Sequence, residues 1–247
     1  MSHRPRILVT GASRRLGRAL AVELARRGCD LLLTSSRGVP SLEETRRGVM
    51  QADPLARVDL HALSFGEEGA IEEFVGAIGP DPLDGVVHNA STYEPSDLAS
   101  LDPLRVRRDL EVHAVGPLRL TAALRPRLER STMPGRPAVV LPLDAHSQGR
   151  PRVGWSSYLL SKAAMAGLVE ILAAELAPST RVIGVALGAM LWPEDARSEE
   201  IAAYEKRIAL GRSGTPHEAV AAMAWALLEA SFVTGTTIRV DGGRAIR

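Results

Sequence analysis

Short apolar runs alternate with longer amphipathic stretches along the whole chain. The first run, Ile7–Thr10, is followed by a helical pattern in which Leu16, Leu20 and Leu24 recur at a spacing of four residues. Runs that are apolar throughout are typical of strands covered on both faces, as in a parallel sheet. The alternation therefore predicts an α/β fold, a single-domain, doubly wound (Rossmann-type) parallel sheet with right-handed crossovers and helices on both faces.

Seven runs are predicted to be strands, at residues 7–10, 31–34, 57–63, 85–88, 138–143, 182–186 and 236–240. A first helix ends at Gly28, and the later helices are predicted over residues 41–51, 67–78, 98–129 with a break near Pro117, 156–177 and 216–229. Ser41, followed by Leu-Glu-Glu, forms a helix-capping pattern. No composition break divides the chain, so one domain over residues 1–247 is expected.

Composition excludes several classes of function. Thirty basic and 29 acidic side chains give a net charge of +1, and we expect neither a nucleic acid nor a membrane as partner. Cys29 is the only cysteine, which rules out an internal disulfide framework and a multi-cysteine zinc site. No metal-ligand spacing occurs among His3, His61, His88, His146 and His217, so no metal is expected. No export signal or spanning apolar stretch is seen, which favours a cytoplasmic location.

The first strand leads into a turn with two glycines, and a helix follows the turn. Glycine lets the backbone approach a pyrophosphate, and the start of the helix supplies N–H groups and a positive dipole end. An ordinary βα turn is the alternative, but the position at the first strand favours dinucleotide binding. The residues expected to bind the cofactor here are Gly11, Ser13, Arg14, Arg15, Leu16 and Gly17.

The end of the second strand, Thr34–Arg37, lacks a carboxylate. A site that prefers NAD has an Asp or Glu there to accept a hydrogen bond from the ribose 2′-hydroxyl. Hydroxyl groups and a guanidinium instead suit a 2′-phosphate. We therefore expect NADPH or NADP+ as cofactor, held by Ser35, Ser36 and Arg37 with Arg14 nearby; the alternative is that Arg37 is a solvated loop residue.

Tyr158 and Lys162 lie four residues apart on a predicted helix, so they share one face. A free tyrosine has a pKa of about 10, too high for efficient proton exchange at neutral pH. A neighbouring ammonium group is expected to lower that pKa. Only Lys162 and Lys206 are lysines among the thirty basic residues, which makes the lysine at this position informative.

Together these segments resemble the short-chain dehydrogenase/reductase family over essentially the whole chain. The matching segments are residues 10–17, 88–91, Tyr158 with Lys162, 187–188 and 240–243. The resemblance implies a seven-stranded parallel sheet, a nicotinamide cofactor, hydride transfer to a carbonyl or imine, and a homotetramer. It implies Tyr158 as proton donor and Lys162 as a ligand of the nicotinamide ribose. Further cofactor contacts are expected from Ser64, Phe65, Asn89, Ala90, Ser91, Gly188 and Met190.

Four positions depart from the family pattern. Arg15 stands where the family usually has the middle glycine of the turn, and Asp144 stands where it has the catalytic serine. His113 stands in place of the usual helix asparagine, and Leu187 in place of a proline. Arg15 with Asp144 resembles the pteridine reductases, a branch that reduces pterins or folates with NADPH. That resemblance implies substrate contacts from Arg15, Ser91, Tyr93, Asp144, Tyr158 and Trp192. For Trp192, simple packing is the alternative.

The resemblance implies a catalytic group made of Tyr158, Lys162, Asp144 and His113. Asp144 would relay a proton to a ring nitrogen, which a serine cannot do as an acid. A neutral His113 would hold a water as asparagine does, or the position has drifted out of use. Residues 190–212, with the charged helical stretch 194–210, are expected to form a flap over the substrate.

The expected function is an NADPH-dependent reduction of a pterin, a folate or another small molecule with a carbonyl or imine. One alternative is a carbonyl reductase of the 3-oxoacyl or polyketide type. The other is a non-catalytic NADP(H)-binding protein, which the loss of the usual serine and asparagine favours and the presence of Tyr158 and Lys162 disfavours.

Overall fold

A computed structural model describes residues 3–193 and 196–246, and it contains a seven-stranded parallel sheet in the order β3-β2-β1-β4-β5-β6-β7. The strands are β1 (Arg6–Val9), β2 (Asp30–Ser35), β3 (Val58–Ala62), β4 (Gly85–Val87), β5 (Ala138–Asp144), β6 (Arg181–Leu187) and β7 (Thr236–Val240). Each strand boundary lies within one residue of its prediction. The single-domain, doubly wound α/β fold is thereby confirmed.

Helices cover both faces of the sheet. They are α1 (Arg15–Arg26), α2 (Glu43–Ala52), α3 (Ala70–Ala77), α4 (Pro103–Leu110), α5 (Gly116–Leu128), α6 (Ser156–Leu176), α7 (Ser198–Glu205) and α8 (Pro216–Leu228). One apolar core lies between the sheet and α1, α2 and α8, and a second lies between the sheet and α3, α5 and α6. None of the helices in the described part of the chain is long and apolar enough to cross a bilayer.

The predicted helix over residues 98–129 is two helices joined by a wide turn. A short 3-10 turn covers Leu98–Ser100, α4 ends at Leu110, and a π-helical segment, Glu111–Val115, leads into α5. Pro117 follows this segment and has no N–H to continue its helical hydrogen bonds. The break expected near Pro117 is therefore this π-helical segment, which ends two residues before the proline.

Two further helix predictions were wrong in detail. Ser41 does not cap α2: its hydroxyl donates to Gly38 O at 2.7 Å and lies 2.8 Å from Ser35 Oγ, and α2 begins only at Glu43. The serine is used instead to hold the end of β2. Of the predicted helical stretch 194–210, α7 covers only Ser198–Glu205, and Glu194 and Asp195 lie outside the described residues.

Arg181, the first residue of β6, is a buried cation that closes the end of α8. Burial lowers the pKa of its guanidinium, and no described carboxylate forms an ion pair with it. The last carbonyl groups of a helix have no partner within the helix, so a side chain or water must supply donors. The carbonyl oxygens that accept from Arg181, at 2.8 to 3.3 Å, belong to Ala226, Leu227, Ala230, Gly135 and Arg136.

Cys29 is fully buried at the start of the second βα unit. Burial raises the pKa of its thiol to about 12, so the sulfur remains protonated and uncharged at neutral pH. We interpret Cys29 as a packing residue. Among the residues with described positions, no three His, Cys, Asp or Glu side chains are grouped to hold a metal ion.

Candidate active site

The residues singled out in the sequence converge at the carboxyl ends of four neighbouring strands. Gly11 follows β1, Asn89 follows β4, Asp144 ends β5 and Gly188 follows β6. The strand order reverses between β1 and β4, and the crevice at such a reversal is where doubly wound sheets bind ligands. The fold thus gives the predicted residues one common location.

The turn after β1 is held by the loop after β4. Asn89 Nδ2 donates to Thr10 O and Gly11 O, both at 3.0 Å. Gly11 has a φ of +64°, and a Cβ there would lie 2.7 Å from Ala90 Cα. A Cβ on Gly17 would lie 2.5 Å from Asn89 Nδ2. Both glycines are therefore needed for the two loops to touch, and the Asn89 amide is used to hold the turn in shape.

The start of α1 fits a pyrophosphate. Its N-terminus has no side-chain cap and no acidic residue in the first turn, so its N–H groups and positive dipole end are available to an anion. Arg37 Nη2 donates to Ser13 Oγ at 2.8 Å, which places the guanidinium beside the turn. A cleft of about 450 Å³ opens here, lined by Ser13, Arg14, Arg18, Arg37, Pro40, Ser41, Glu43, Glu44 and Arg47.

Arg15 has a left-handed backbone conformation, with φ at +51°. For a residue with a side chain this conformation costs on the order of 1 kcal/mol, which the family's usual glycine avoids. Burial raises the pKa of Tyr93, and the charge of the Arg15 guanidinium opposes this shift. The contact of Arg15 with a substrate stays a prediction.

Asp144 lies beside the predicted proton donor. Tyr158 Oη donates to Asp144 Oδ2 at 3.0 Å, and the backbone N–H of His146 donates to Asp144 Oδ1 at 2.7 Å. Burial raises the pKa of Tyr158 well above its ordinary value, and the Asp144 carboxylate raises it further. The net direction is therefore opposite to the lowering expected from a neighbouring ammonium group, because burial and the nearby carboxylate both favour the neutral phenol.

Lys162 is buried below Tyr158 on α6. Its Nζ donates to Pro142 O at 2.9 Å and lies 3.6 Å from Met165 Sδ. Burial lowers the pKa of the ammonium group to about 8, with an opposing contribution from Asp144. The side chain is therefore mainly protonated at neutral pH, and it titrates just above that range.

His113 lies in the π-helical segment between α4 and α5, and its ring connects the β4 loop to α6. Nε2 accepts from the Thr92 N–H at 3.3 Å and lies 2.8 Å from Ser91 Oγ. Nδ1 lies 2.7 Å from Ser161 Oγ, which donates its own proton to Tyr158 O. Burial lowers the pKa of His113 well below its ordinary value, and Lys162 lowers it further. His113 is thus a neutral, fully hydrogen-bonded side chain.

Asp109 is a buried carboxylate that the sequence did not single out. Its Oδ1 accepts from Thr92 Oγ1 at 2.7 Å, and its Oδ2 accepts from Ser157 Oγ at 2.5 Å. Ser157 immediately precedes Tyr158, so Asp109 joins the β4 loop to the start of the helix that carries the phenol. In the sequence this residue reads as one more charge on an Arg-rich helix.

An aromatic group lies beside Tyr158, apart from the residues that line the cleft at Arg37. The Tyr93 and Trp155 rings lie 4.1 Å apart at an interplanar angle of 32°, and Tyr93 meets the Tyr158 ring edge-on at 5.0 Å. The Arg152 guanidinium lies 4.8 Å from the centre of the Trp155 ring, and its Nη1 donates to Tyr93 Oη at 3.3 Å. Tyr93 was predicted, whereas sequence reasoning missed Trp155 and Arg152 because both belong to a loop.

A second aromatic group comes from the region predicted as a flap. The hydroxyl oxygen of Tyr204, on α7, lies 2.9 Å from His146 Nε2. The Tyr204 ring meets the Trp192 ring edge-on, with their centres 5.2 Å apart. Trp192 Nε1 donates to Ser213 Oγ at 3.0 Å. His146 and Tyr204 therefore connect the Asp144 loop to α7, a link that spacing along the chain does not reveal.

The remaining predicted contacts lie around the same edge of the sheet. Phe65 packs its ring against Gly116, and Ser64 precedes it after β3. Gly188 lies against Asp241, where a Cβ would be 2.9 Å from the Asp241 Cα. Met190 is buried against Gly214, and Ser36 is exposed after β2. Their contacts to a cofactor stay predictions.

Comparisons with known proteins find relatives that match almost the whole chain. A family model described as Enoyl-(Acyl carrier protein) reductase matches residues 11–245. The chain is 30% identical to 3beta-hydroxysteroid dehydrogenase 1 of Eggerthella lenta, covering 97% of this chain and 93% of that protein. It is 29% identical to the 3-oxoacyl-acyl-carrier-protein reductase FabG of Aquifex aeolicus, with 96% and 95% covered. It is 26% identical to pteridine reductase 1 of Leishmania tarentolae, with 98% and 96% covered.

The fold also matches solved structures. A protein of Sinorhizobium meliloti assigned as a short-chain alcohol dehydrogenase superimposes with a TM-score of 0.89 at 24% identity, covering 100% of this chain and 98% of that one. At this identity the likeness concerns the fold alone. It agrees with the seven-stranded parallel sheet of this chain.

Proposed function

The chain belongs to the short-chain dehydrogenase/reductase family of oxidoreductases, and from that membership we propose that it is an NADPH-dependent reductase acting on a pterin- or folate-like C=N bond. Tyr158 is the proton donor, with Lys162 and Asp144 assisting. The observation that carries this proposal is the hydrogen bond of 3.0 Å between Tyr158 Oη and Asp144 Oδ2. It puts a carboxyl group at the reacting hydroxyl, where the family usually has serine.

The cofactor would be held by residues whose arrangement fits it. The start of α1 suits the pyrophosphate, and Arg37 with Ser13 suits a 2′-phosphate. Lys162 is expected to hold the nicotinamide ribose. When bound, the dihydronicotinamide supplies the hydride.

The chain's own residues supply and hold the proton. Tyr158, kept neutral by burial and by Asp144, carries the proton on Oη beside the cleft. Asp144, held by the His146 N–H, is placed to pass a proton between Tyr158 and a ring nitrogen. Tyr93 presents the face on which a flat heterocycle can stack, and its ring lies 5.0 Å from that of Tyr158.

A carbonyl reductase of the 3-oxoacyl or polyketide type is the second candidate. The similarity to FabG of Aquifex aeolicus and to a granaticin polyketide synthase ketoacyl reductase of Streptomyces violaceoruber favours it as much as the pteridine reductase similarity favours the first. A long apolar pocket with Asp144 turned away would suit that chemistry. The Asp144–Tyr158 bond and the aromatic, arginine-rich cleft support the pterin substrate instead.

The deciding experiment is NADPH oxidation measured with dihydrobiopterin, dihydrofolate and an acetoacetyl thioester. We expect turnover of at least one of the first two. Turnover of the thioester alone would establish the second candidate. If none of a broad set of carbonyl and imine substrates is reduced while NADPH still binds, the chain is a non-catalytic NADP(H)-binding protein.

Arg37→Asp should reverse the cofactor preference. The substitution removes the guanidinium expected at the 2′-phosphate and adds the carboxylate that an NAD site uses. We expect the Kd for NADPH to rise at least tenfold and the Kd for NADH to fall, as measured by fluorescence titration. Arg130→Asp, on the surface after α5, is the matched control and should leave both constants unchanged. An unaltered NADPH affinity in Arg37→Asp would contradict the assignment.

The rate of reduction should fall as the pH rises through about 8. Below that pH Lys162 is cationic, and above it the ammonium charge is lost because burial lowers its pKa to about 8. Tyr158 keeps its proton throughout this range, since its own pKa is raised. The measurement is a pH profile of kcat with saturating substrate. The guanidinium of Lys162→Arg does not titrate in this range, so the fall of kcat near pH 8 should be absent from the activity that remains. A fall of kcat at the same pH in this variant would mean that another group titrates there.

We also propose a homotetramer. Exposed apolar side chains lie on one side of the molecule, with Leu160 and Ile171 on α6 at 53% and 55% exposure, and Val115 and Leu118 near α5 at 43% and 41%. Such a group of side chains is typical of a surface that another subunit covers. Sedimentation velocity should give about four times the monomer mass, and Ile171→Glu should reduce it. The cytoplasmic location and the flap over residues 190–212 stay predictions.

A further inference from the structure

Arg152 is held by two aromatic side chains, one ring away from Tyr158. Its guanidinium lies over Trp155 at 4.8 Å and donates to Tyr93 Oη at 3.3 Å, and the Tyr93 ring in turn lies 5.0 Å from that of Tyr158. Stacking on an indole and a hydrogen bond to a phenol restrict a long side chain that would otherwise sample many rotamers. Little further conformational entropy is then lost when the guanidinium binds a ligand.

The charge of Arg152 has no counter-charge in the described part of the chain. No described carboxylate forms an ion pair with Arg152 or with Arg15, and both guanidinium groups act on the Tyr93 phenol. The acidic groups of this region are already engaged. Asp144 accepts from Tyr158 and from the His146 N–H, and Glu94 pairs with Arg105 and Arg108.

We propose that Arg152 forms an anion-binding subsite, and that the substrate carries a carboxylate or phosphate group beyond its reducible ring. The proposal rests on the proposed function, since it places the reacting bond at Tyr158. The forked donors of arginine match either anion in a paired geometry. A residue that only supported Trp155 would affect all substrates alike, so Arg152 is a specificity-determining residue.

The test compares substrates that share the reducible ring and differ in charge: dihydrofolate with its glutamate carboxylates, a phosphorylated dihydropterin, and neutral dihydrobiopterin. For Arg152→Ala we expect kcat/KM to fall at least tenfold with the anionic substrates, through KM, and at most twofold with dihydrobiopterin. If kcat/KM falls more with dihydrofolate, the natural group is a carboxylate; if it falls more with the phosphorylated dihydropterin, the natural group is a phosphate. Arg150→Ala removes the same charge from the same loop and should leave kcat/KM unchanged with the anionic substrates and with dihydrobiopterin. Equal losses on all three substrates, or no loss on any, would overturn the proposal.

A binding measurement separates this proposal from the proposed function. The probe is 4-aminobenzoylglutamate, compared with its uncharged dimethyl ester, titrated into the NADP+ complex by calorimetry. We expect the acid to bind at least tenfold more tightly than the ester, and Arg152→Ala to abolish the difference. This result without turnover of any pterin would leave the subsite established and the reductase assignment wrong. Pterin turnover with equal binding of the acid and the ester would support the reductase assignment and overturn the anion-binding subsite.

Discussion

Tyr158→Phe should lower the rate of substrate reduction about a thousandfold while leaving the affinity for NADPH within a few-fold of the wild type. General acid catalysis by a positioned side chain contributes about 10² to 10⁴ to a rate, and this substitution removes the only atom that carries the proton. The ring stays in place, so its edge-on contacts with Tyr93, Trp155 and His113 are kept. The measurements are single-turnover rates and a fluorescence titration of NADPH.

Tyr204→Phe is the matched control, because it removes a phenol hydroxyl on the other side of the cleft. That hydroxyl contacts His146, which in turn holds Asp144 only through its backbone N–H. We expect less than a tenfold loss of rate. If Tyr158→Phe keeps more than a tenth of the wild-type rate, Tyr158 is not the proton donor, and Asp144 would be the remaining group beside the cleft.

Arg181→Ala should lower the free energy of unfolding by about 4 kcal/mol, the largest effect expected on stability. Five carbonyl oxygens at the end of α8 and in the neighbouring loop lose their donor together. A buried polar group left without a partner costs about 1–3 kcal/mol, and water entering the space left by the side chain offsets part of the sum. The measurement is urea denaturation followed by circular dichroism.

Two controls separate this effect from the mere loss of a positive charge. Arg125→Ala removes an arginine that is 48% exposed and paired with Glu129, and an exposed pair of this kind contributes little to stability. Arg181→Lys keeps the charge but offers fewer donors, so it should fall between the wild type and Arg181→Ala. If Arg181→Ala loses less than about 1 kcal/mol, the carbonyl groups are satisfied by water alone and Arg181 does not close the helix.

The strands could be predicted from the sequence because they are buried on both faces. Ile7 to Val9 and Ala138 to Leu141 are fully buried, and a run of apolar residues between polar turns has few other structures open to it. The glycine turn after β1 could be predicted for a related reason. Gly11 and Gly17 leave room for a neighbouring loop, and that requirement is visible as a residue type at a fixed spacing.

The side-chain network of the site could be predicted only in part. Tyr158, Lys162 and Asp144 follow a known pattern, but their protonation depends on burial, which the pattern does not encode. The raised pKa of Tyr158 is the clearest case. Asp109 reads as a surface charge in an Arg-rich helix, and only the folded chain brings the Thr92 and Ser157 hydroxyls to it.

The strand order also divides the sheet at a single seam. Residues up to α5 form the half-sheet β3-β2-β1-β4, those from β5 onward form β5-β6-β7, and in the sheet the halves meet only between Gly85–Val87 and Ala138–Val140. The glycine turn after β1 lies in the first half, and Tyr158 and Lys162 lie in the second half. A chain cut in the loop between α5 and β5 would therefore yield two fragments, each with one part of the proposed cofactor site. Neither would be active alone, and the cofactor would favour their reassembly because only the joined pair can bind it along its full length.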